Sequence, residues 1–196
     1  MLRPCVVLAI FCFSTGLAPA QVKTTARENL APNPSFEDPD GAEGTLPDAW
    51  NFYPEKTGGR FGITQESAQT GKQALRIKAT GALNGSEALL NGIDVQPGDK
   101  FTFSAYVRNS KSDPMDKAVT GMLAIEWTGA YGKEIGRLTG KSWDSRLAKN
   151  RWIFVSIDTV EVPKGCTRAV FGVHLTEAKS GGKGSFLVDD VSIVKK

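Results

Sequence analysis

Phe101-Thr102-Phe103-Ser104-Ala105-Tyr106-Val107-Arg108 decides the fold class. Phe101, Phe103, Ala105 and Val107 fall on one side of an extended backbone, and Thr102, Ser104, Tyr106 and Arg108 on the other. Side chains of a strand alternate with period two, so this is a strand with one face in a core and one facing out. The rhythm returns downstream. Val119, Gly121, Leu123, Ile125 and Trp127 alternate with Thr120, Met122, Ala124, Glu126 and Thr128. Ala169, Phe171, Val173 and Leu175 alternate with Arg168, Val170, Gly172, His174 and Thr176. The stretch 151–162 is rich in β-branched and aromatic residues, and further strands are predicted at 49–53, 61–66, 73–79, 87–95 and 134–138.

Turn chemistry separates these segments: Asp40-Gly41, Thr70-Gly71-Lys72, Gln96-Pro97-Gly98-Asp99, Pro163-Lys164-Gly165 and Ser180-Gly181-Gly182. No window has the periodicity of an amphipathic helix. About ten strands joined by glycine-rich turns predict an all-β fold, a single antiparallel β-sandwich or jelly roll. Trp50 and Trp152 are expected in its core, and Trp127 in the core or at its rim.

The front of the chain reads differently. Arg3 precedes an apolar stretch, Val6 to Phe13, too short to span a membrane, and Ala18-Pro19-Ala20 is a small-residue cleavage site. Residues 1–20 are therefore expected to be a signal peptide cut after Ala20. Residues 21–28 are expected to be a flexible lead and 29–196 the folded domain, in a secreted protein, extracellular or periplasmic. Cys5 and Cys12 leave with the signal. Cys166 then stays alone, so no internal disulfide is expected, and its setting before an apolar strand predicts a small buried side chain. The 24 Lys and Arg against 21 Asp and Glu give a formal net charge of +3. No basic stripe with interleaved aromatics is present, which argues against nucleic acid as a partner. No later segment approaches a membrane span, and a monomer is expected.

Two segments frame the domain: Asn29-Leu30-Ala31-Pro32-Asn33-Pro34-Ser35-Phe36-Glu37 and Gly184-Ser185-Phe186-Leu187-Val188-Asp189-Asp190-Val191-Ser192-Ile193. Both are read as short apolar strands that carry a carboxylate where the apolar pattern breaks. Lying side by side, they would let Glu37 and Asp189 share one hard cation. These segments resemble the opening and closing motifs of the carbohydrate-binding modules of families 4, 9, 16 and 22, whose sandwich is galactose-binding-domain-like. Further blocks match in order. Pro47-Asp48-Ala49-Trp50 resembles the modules' P-x-x-W strand, and Gly71-Lys72-Gln73-Ala74-Leu75-Arg76-Ile77 their G-x-x-A-L-x-I element. The segment from Val95-Gln96-Pro97-Gly98 to Val107 resembles their V-x-P-G strand. Trp152-Ile153-Phe154-Val155-Ser156 resembles a late strand, and Val162-Pro163-Lys164-Gly165 the turn after it.

The resemblance implies a jelly roll that binds poly- or oligosaccharide without hydrolysing it and holds a structural calcium. Carried onto matching positions, Glu37 and Asp189 would supply carboxylates to that calcium, and Ser35 and Lys72 backbone oxygens. Such an ion accepts six to eight oxygens, carbonyls included. These modules are usually appended to a catalytic domain, which the 196 residues do not contain.

Sugars present C–H faces that stack on aromatic rings and hydroxyls that pair with planar polar side chains. Tyr106, Arg108, Glu126 and His174 share the outward phase on strands long enough to form one sheet, and are expected to line a cleft. Tyr131 and Trp143 in nearby loops join them, with Trp143 expected exposed because its polar surroundings carry no apolar periodicity. Each has a plainer reading: surface residues, a cross-strand contact of Glu126 with Arg108 or His174, or a tryptophan folded over a sheet edge. A cell-envelope structural or adhesion module that binds protein is the alternative function. A small glycoside hydrolase is the weaker one. It would need two carboxyls across a sugar, for which Glu126 and Asp158 are the sequence's only suggestion. No nucleophile–histidine order or phosphate-binding loop is present.

Overall fold

The computed structural model describes residues 27–55, 60–82 and 85–196. The expected signal peptide, and all of the lead before Arg27, lie outside them. The described residues form ten strands: β1 (Asn51–Tyr53), β2 (Phe61–Thr64), β3 (Ala74–Lys78), β4 (Ser86–Asp94), β5 (Lys100–Asn109), β6 (Val119–Thr128), β7 (Glu134–Thr139), β8 (Ile153–Glu161), β9 (Arg168–Glu177) and β10 (Ser185–Lys195). All pairings are antiparallel. One five-stranded sheet runs β1-β4-β9-β6-β7 and will be called the cleft sheet. The other, the back sheet, runs β2-β3-β10-β5-β8. The fold is the all-β sandwich that the alternation predicts.

The inward phase of each strand makes the core. Phe101 and Phe103 of β5 meet Phe171 of β9 edge-on, with ring centroids 5.5 and 5.4 Å apart, which ties the two sheets at their centre. All three rings are essentially inaccessible to water, and each buried ring is worth roughly 1.5–3 kcal/mol relative to exposure. Trp50 and Trp127 are buried and belong to this core, while Trp152 is half-buried and donates its indole N–H to the carbonyl of Ala68 at 3.1 Å. Cys166 is buried as expected and unpaired.

Two expectations need correction. The first framing segment is not a strand. It runs beside β10 and bonds to it, Leu30 N–H to Ile193 C=O at 2.8 Å and Val191 N–H to Pro34 C=O at 2.8 Å. Pro32 and Pro34 lack the N–H a ladder needs, and Asn33 and Phe36 adopt positive φ of 38° and 56°. Trp143 is not exposed either: only 8% of its surface meets water. Residue 121 on the inner face of β6 is glycine, and the indole occupies the space where its side chain would stand. It also meets Phe186 of β10 edge-on at 5.3 Å.

Candidate binding cleft

The central strand of the cleft sheet is β9, and its outward residues build the site. His174 lies between Ala88 of β4 and Met122 of β6; Gly172 lies between Leu90 of β4 and Ala124 of β6. Ala88 and His174 thus make a low floor, with Gly172 leaving room beneath the ring. The His174 imidazole folds back over Gly172, where a Cβ would meet its Nε2 at 2.5 Å. Taller side chains stand around that floor: Tyr53 of β1 and Leu90 on one side, Glu126 of β6 and Arg137 of β7 on the other. They enclose a cleft of about 340 Å³. Tyr53 and Leu90 also wall a second hollow of about 450 Å³ that continues past the sheet edge over Phe52 and Glu55.

Arg137 is the electrostatic centre of the cleft. Its Nη2 lies 3.0 Å from Glu126 Oε1 and 3.3 Å from Glu134 Oε2. Burial raises the Glu126 carboxyl above the usual carboxylate range; Arg137 opposes that shift and Glu134 adds to it. Burial, reinforced by the Arg137 charge, pushes His174 down to about 4, so its imidazole is neutral at pH 7. Its Nε2 is 3.9 Å from Glu126 Oε1, too far for a hydrogen bond, and that buried nitrogen has no other partner. Tyr53 leaves 57% of its surface in water. The cleft therefore offers a cationic donor, a carboxylate acceptor, a neutral ring nitrogen and an exposed aromatic ring.

The structure brings Glu126 and His174 together as expected and separates the other expected cleft residues. Tyr106 and Arg108 share the outward phase, but β5 belongs to the back sheet, so the expectation of one sheet for all four is corrected. Alternation fixes the face of a strand and carries no information on which of two sheets takes it. Tyr106 packs against Phe154 at 5.3 Å, and Arg108 donates to the Ser67 hydroxyl and, at 2.9 Å, to the Lys149 carbonyl. Tyr131 is fully exposed on the turn between β6 and β7 and is not among the cleft's lining residues. Asp158 is on β8 of the back sheet, so it does not face Glu126 across a shared cleft. Sequence reasoning did not single out Tyr53, Arg137 or Gly172. Tyr53 and Arg137 lie within two of the further strands predicted, 49–53 and 134–138, and only the neighbouring strands reveal that they meet.

Of the expected cation ligands, Glu37 and Asp189 both bond to the loop before β3, which carries Lys72. Glu37 Oε1 accepts the N–H groups of Lys72 and Gln73, both at 3.0 Å. Asp189 Oδ2 accepts those of Gln69 at 2.6 Å and Thr70 at 3.2 Å, and Oδ1 accepts that of Asp190 at 2.8 Å. Asp189 is wholly inaccessible to water, and burial raises it to about 7 against the pull of those N–H groups. The buried Gln73 Oε1 has no hydrogen-bond partner. The donor set is all oxygen, two carboxylates and the orphaned Gln73 amide oxygen against one loop, which is the chemistry a hard cation takes, although Glu37 and Asp189 each already accept backbone N–H groups. Among the described residues no group of three or more His, Cys, Asp or Glu is placed to hold a metal, so carbonyls would have to complete the shell.

No family model matches the chain, and no curated protein matches it. Solved structures do. The TmCBM61 structure in complex with β-1,4-galactotriose superposes with a TM-score of 0.56 at 16% identity, covering 86% of this chain and 99% of that one. The C-terminal family 22 carbohydrate-binding module of Clostridium thermocellum Xyn10B gives 0.56 at 13% identity, over 82% and 90%. The arabinose-bound MgGH51 α-L-arabinofuranosidase gives 0.60 at 13% identity, over 85% of this chain but only 26% of that one. At these identities the likeness is one of fold.

Proposed function

We propose that the protein is a non-catalytic carbohydrate-binding module that holds a poly- or oligosaccharide in the cleft of Tyr53, Glu126, Arg137 and His174. The observation that carries the reading is the unspent polar chemistry of that cleft: a buried, partnerless imidazole nitrogen beside an arginine–glutamate pair, below an exposed tyrosine ring. A sugar matches both halves, hydroxyls to the polar groups and a C–H face to the ring. Solved structures of the same sandwich, among them TmCBM61 in complex with β-1,4-galactotriose, support it. In the same reading the protein is secreted after cleavage following Ala20, and a structural calcium bound by Ser35, Glu37, Lys72 and Asp189 supports the loop before β3. Calcium there would neutralise buried carboxylate charge and take no part in sugar recognition.

The test is a glycan array with residues 21–196, run with calcium and with chelator, followed by calorimetry on any hit. Wild-type protein binds one saccharide class selectively, and Arg137→Ala and Tyr53→Ala each weaken that binding at least tenfold. A blank array from folded, calcium-replete protein sinks the reading and favours a protein-binding envelope module.

A further inference from the structure

The back sheet carries a surface that the cleft does not explain. Phe154 stands on the outer face of β8 with 56% of its surface in water. Directly across on β5 is Tyr106, whose ring meets it edge-on at 5.3 Å. Beside Phe154 the loop from β7 to β8 leaves a hollow of about 370 Å³, walled by Leu123, Leu147, Ile153 and the edge of Trp143. Lys141, Ser142 and Ser156 stand at its rim. Among the described residues, Lys141 and Ser142 have no side-chain hydrogen bond or ion pair, while Ser156 donates to Asp158 at 3.1 Å. The cross-strand pairing of two aromatics stabilises a sheet, but it leaves the Phe154 ring open to water. Nor does it account for a concave apolar surface of the size that small ligands use, with the exposed Lys141 and Ser142 among its lining residues.

We propose that this surface is a second saccharide-binding site, centred on Phe154, so that one molecule engages two glycan segments from opposite faces of the sandwich. The proposal rests on the carbohydrate-binding reading of the cleft. A sugar ring laid on Phe154 places its hydroxyls toward Ser156, Ser142 and Lys141, and the hollow beside it takes the C–H face of the next unit. A purely apolar ligand such as an acyl chain would use the hollow and make no use of the Lys141 ammonium and the Ser142 hydroxyl, which are exposed beside it. Two sites on one rigid body also give avidity on a polymer without any new contact.

Titration calorimetry with a short oligosaccharide selected by the array reads the number of sites. Wild-type protein takes up two per molecule. Phe154→Ala takes up one, with the cleft affinity unchanged within twofold; Arg137→Ala loses the cleft site and keeps the Phe154 site. Lys141→Ala, at an exposed rim position, weakens the second site about fivefold, so the result does not hang on one variant. With a soluble polysaccharide, wild-type protein raises turbidity by bridging chains and Phe154→Ala does not. A single site that Arg137→Ala weakens and Phe154→Ala leaves untouched overturns this inference and leaves the cleft reading standing. The absence of any saccharide binding by wild-type protein removes both. Uptake in the hollow of an apolar fluorescent probe, undisplaced by saccharide, overturns it in favour of an apolar ligand.

Discussion

Two glycines set what the neighbouring side chains are able to do. At Gly172 an added Cβ would come within 2.9 Å of Leu90 Cδ2 and 3.0 Å of His174 Cδ2. Both atoms belong to cleft walls, so Gly172→Ala is expected to turn the imidazole out of place and weaken saccharide binding about tenfold. Its cost in stability should be smaller, since the crowded side chains border open space; calorimetry beside a urea titration separates the two. Gly121 works on the inner face, where the indole of Trp143 fills the space of the missing side chain. Gly121→Ala overpacks a closed core and should cost about 1–3 kcal/mol, read as a lower urea midpoint with tryptophan emission shifted to the red. Combining it with Trp143→Leu should cost less than the sum of the two single changes, because the first change removes what the second needs. Neither glycine announced itself in the sequence. Each sits within a regular alternation, and only the facing element shows that a side chain has taken its space.

At the scale of elements, much was legible because period-two alternation is a local property. Three strands were placed from their phase, β5, β6 and β9, and the others from β-branched and aromatic content between turn signals, and observed limits differ mainly at the ends. What the phase could not give was partnership. Tyr106 and His174 carry the same outward rhythm and end on opposite faces of the molecule, because sheet order is set by long-range pairing. The framing segments show the same limit. Their carboxylates, expected side by side from strand pairing, each bond to the loop before β3, and the first of them does so from a segment whose prolines and positive φ keep it from being a strand. That loop is held by Glu37 at one end and Asp189 at the other. Glu37→Ala leaves the Lys72 and Gln73 N–H groups without their acceptor, and a partly buried pair of that kind costs about 1–3 kcal/mol. Amide hydrogen exchange should quicken at residues 69–73 while β5 and β9 stay protected. Exchange that quickens across both sheets alike would mean that the clamp is part of the global fold, with no local role.

For the whole molecule a few buried titratable groups make stability depend on pH, and the directions oppose. His174, lowered to about 4, contributes stability in full above its ordinary value near 6.5, and loses it as pH falls from there through 4. Glu66 behaves alike further down: against the upward push of burial, hydrogen bonds from Ser112, the Lys111 N–H and Ser110, and the Arg76 charge hold it at about 2. Its contribution is lost between its ordinary value and 2. Asp189, raised to about 7 by burial, has the reverse sign. Its protonated form is the stable one, so its contribution is complete below about 4 and is lost as pH rises through 7. Glu87, raised to about 7 by burial and by Glu177 against Arg60, adds to that loss. In the proposed reading calcium at Asp189 would compete with that proton, so calcium affinity should fall about tenfold for each pH unit below 7. Thermal unfolding with calcium and with chelator, at pH 5 and at pH 8, reads this competition. The rise in midpoint given by calcium should be larger at pH 8 than at pH 5, and Asp189→Asn should make it small at both. An equal rise at the two pH values in wild-type protein would mean that the ion, if it binds, does not bind at Asp189. The buried carboxyl would then belong to the loop clamp alone.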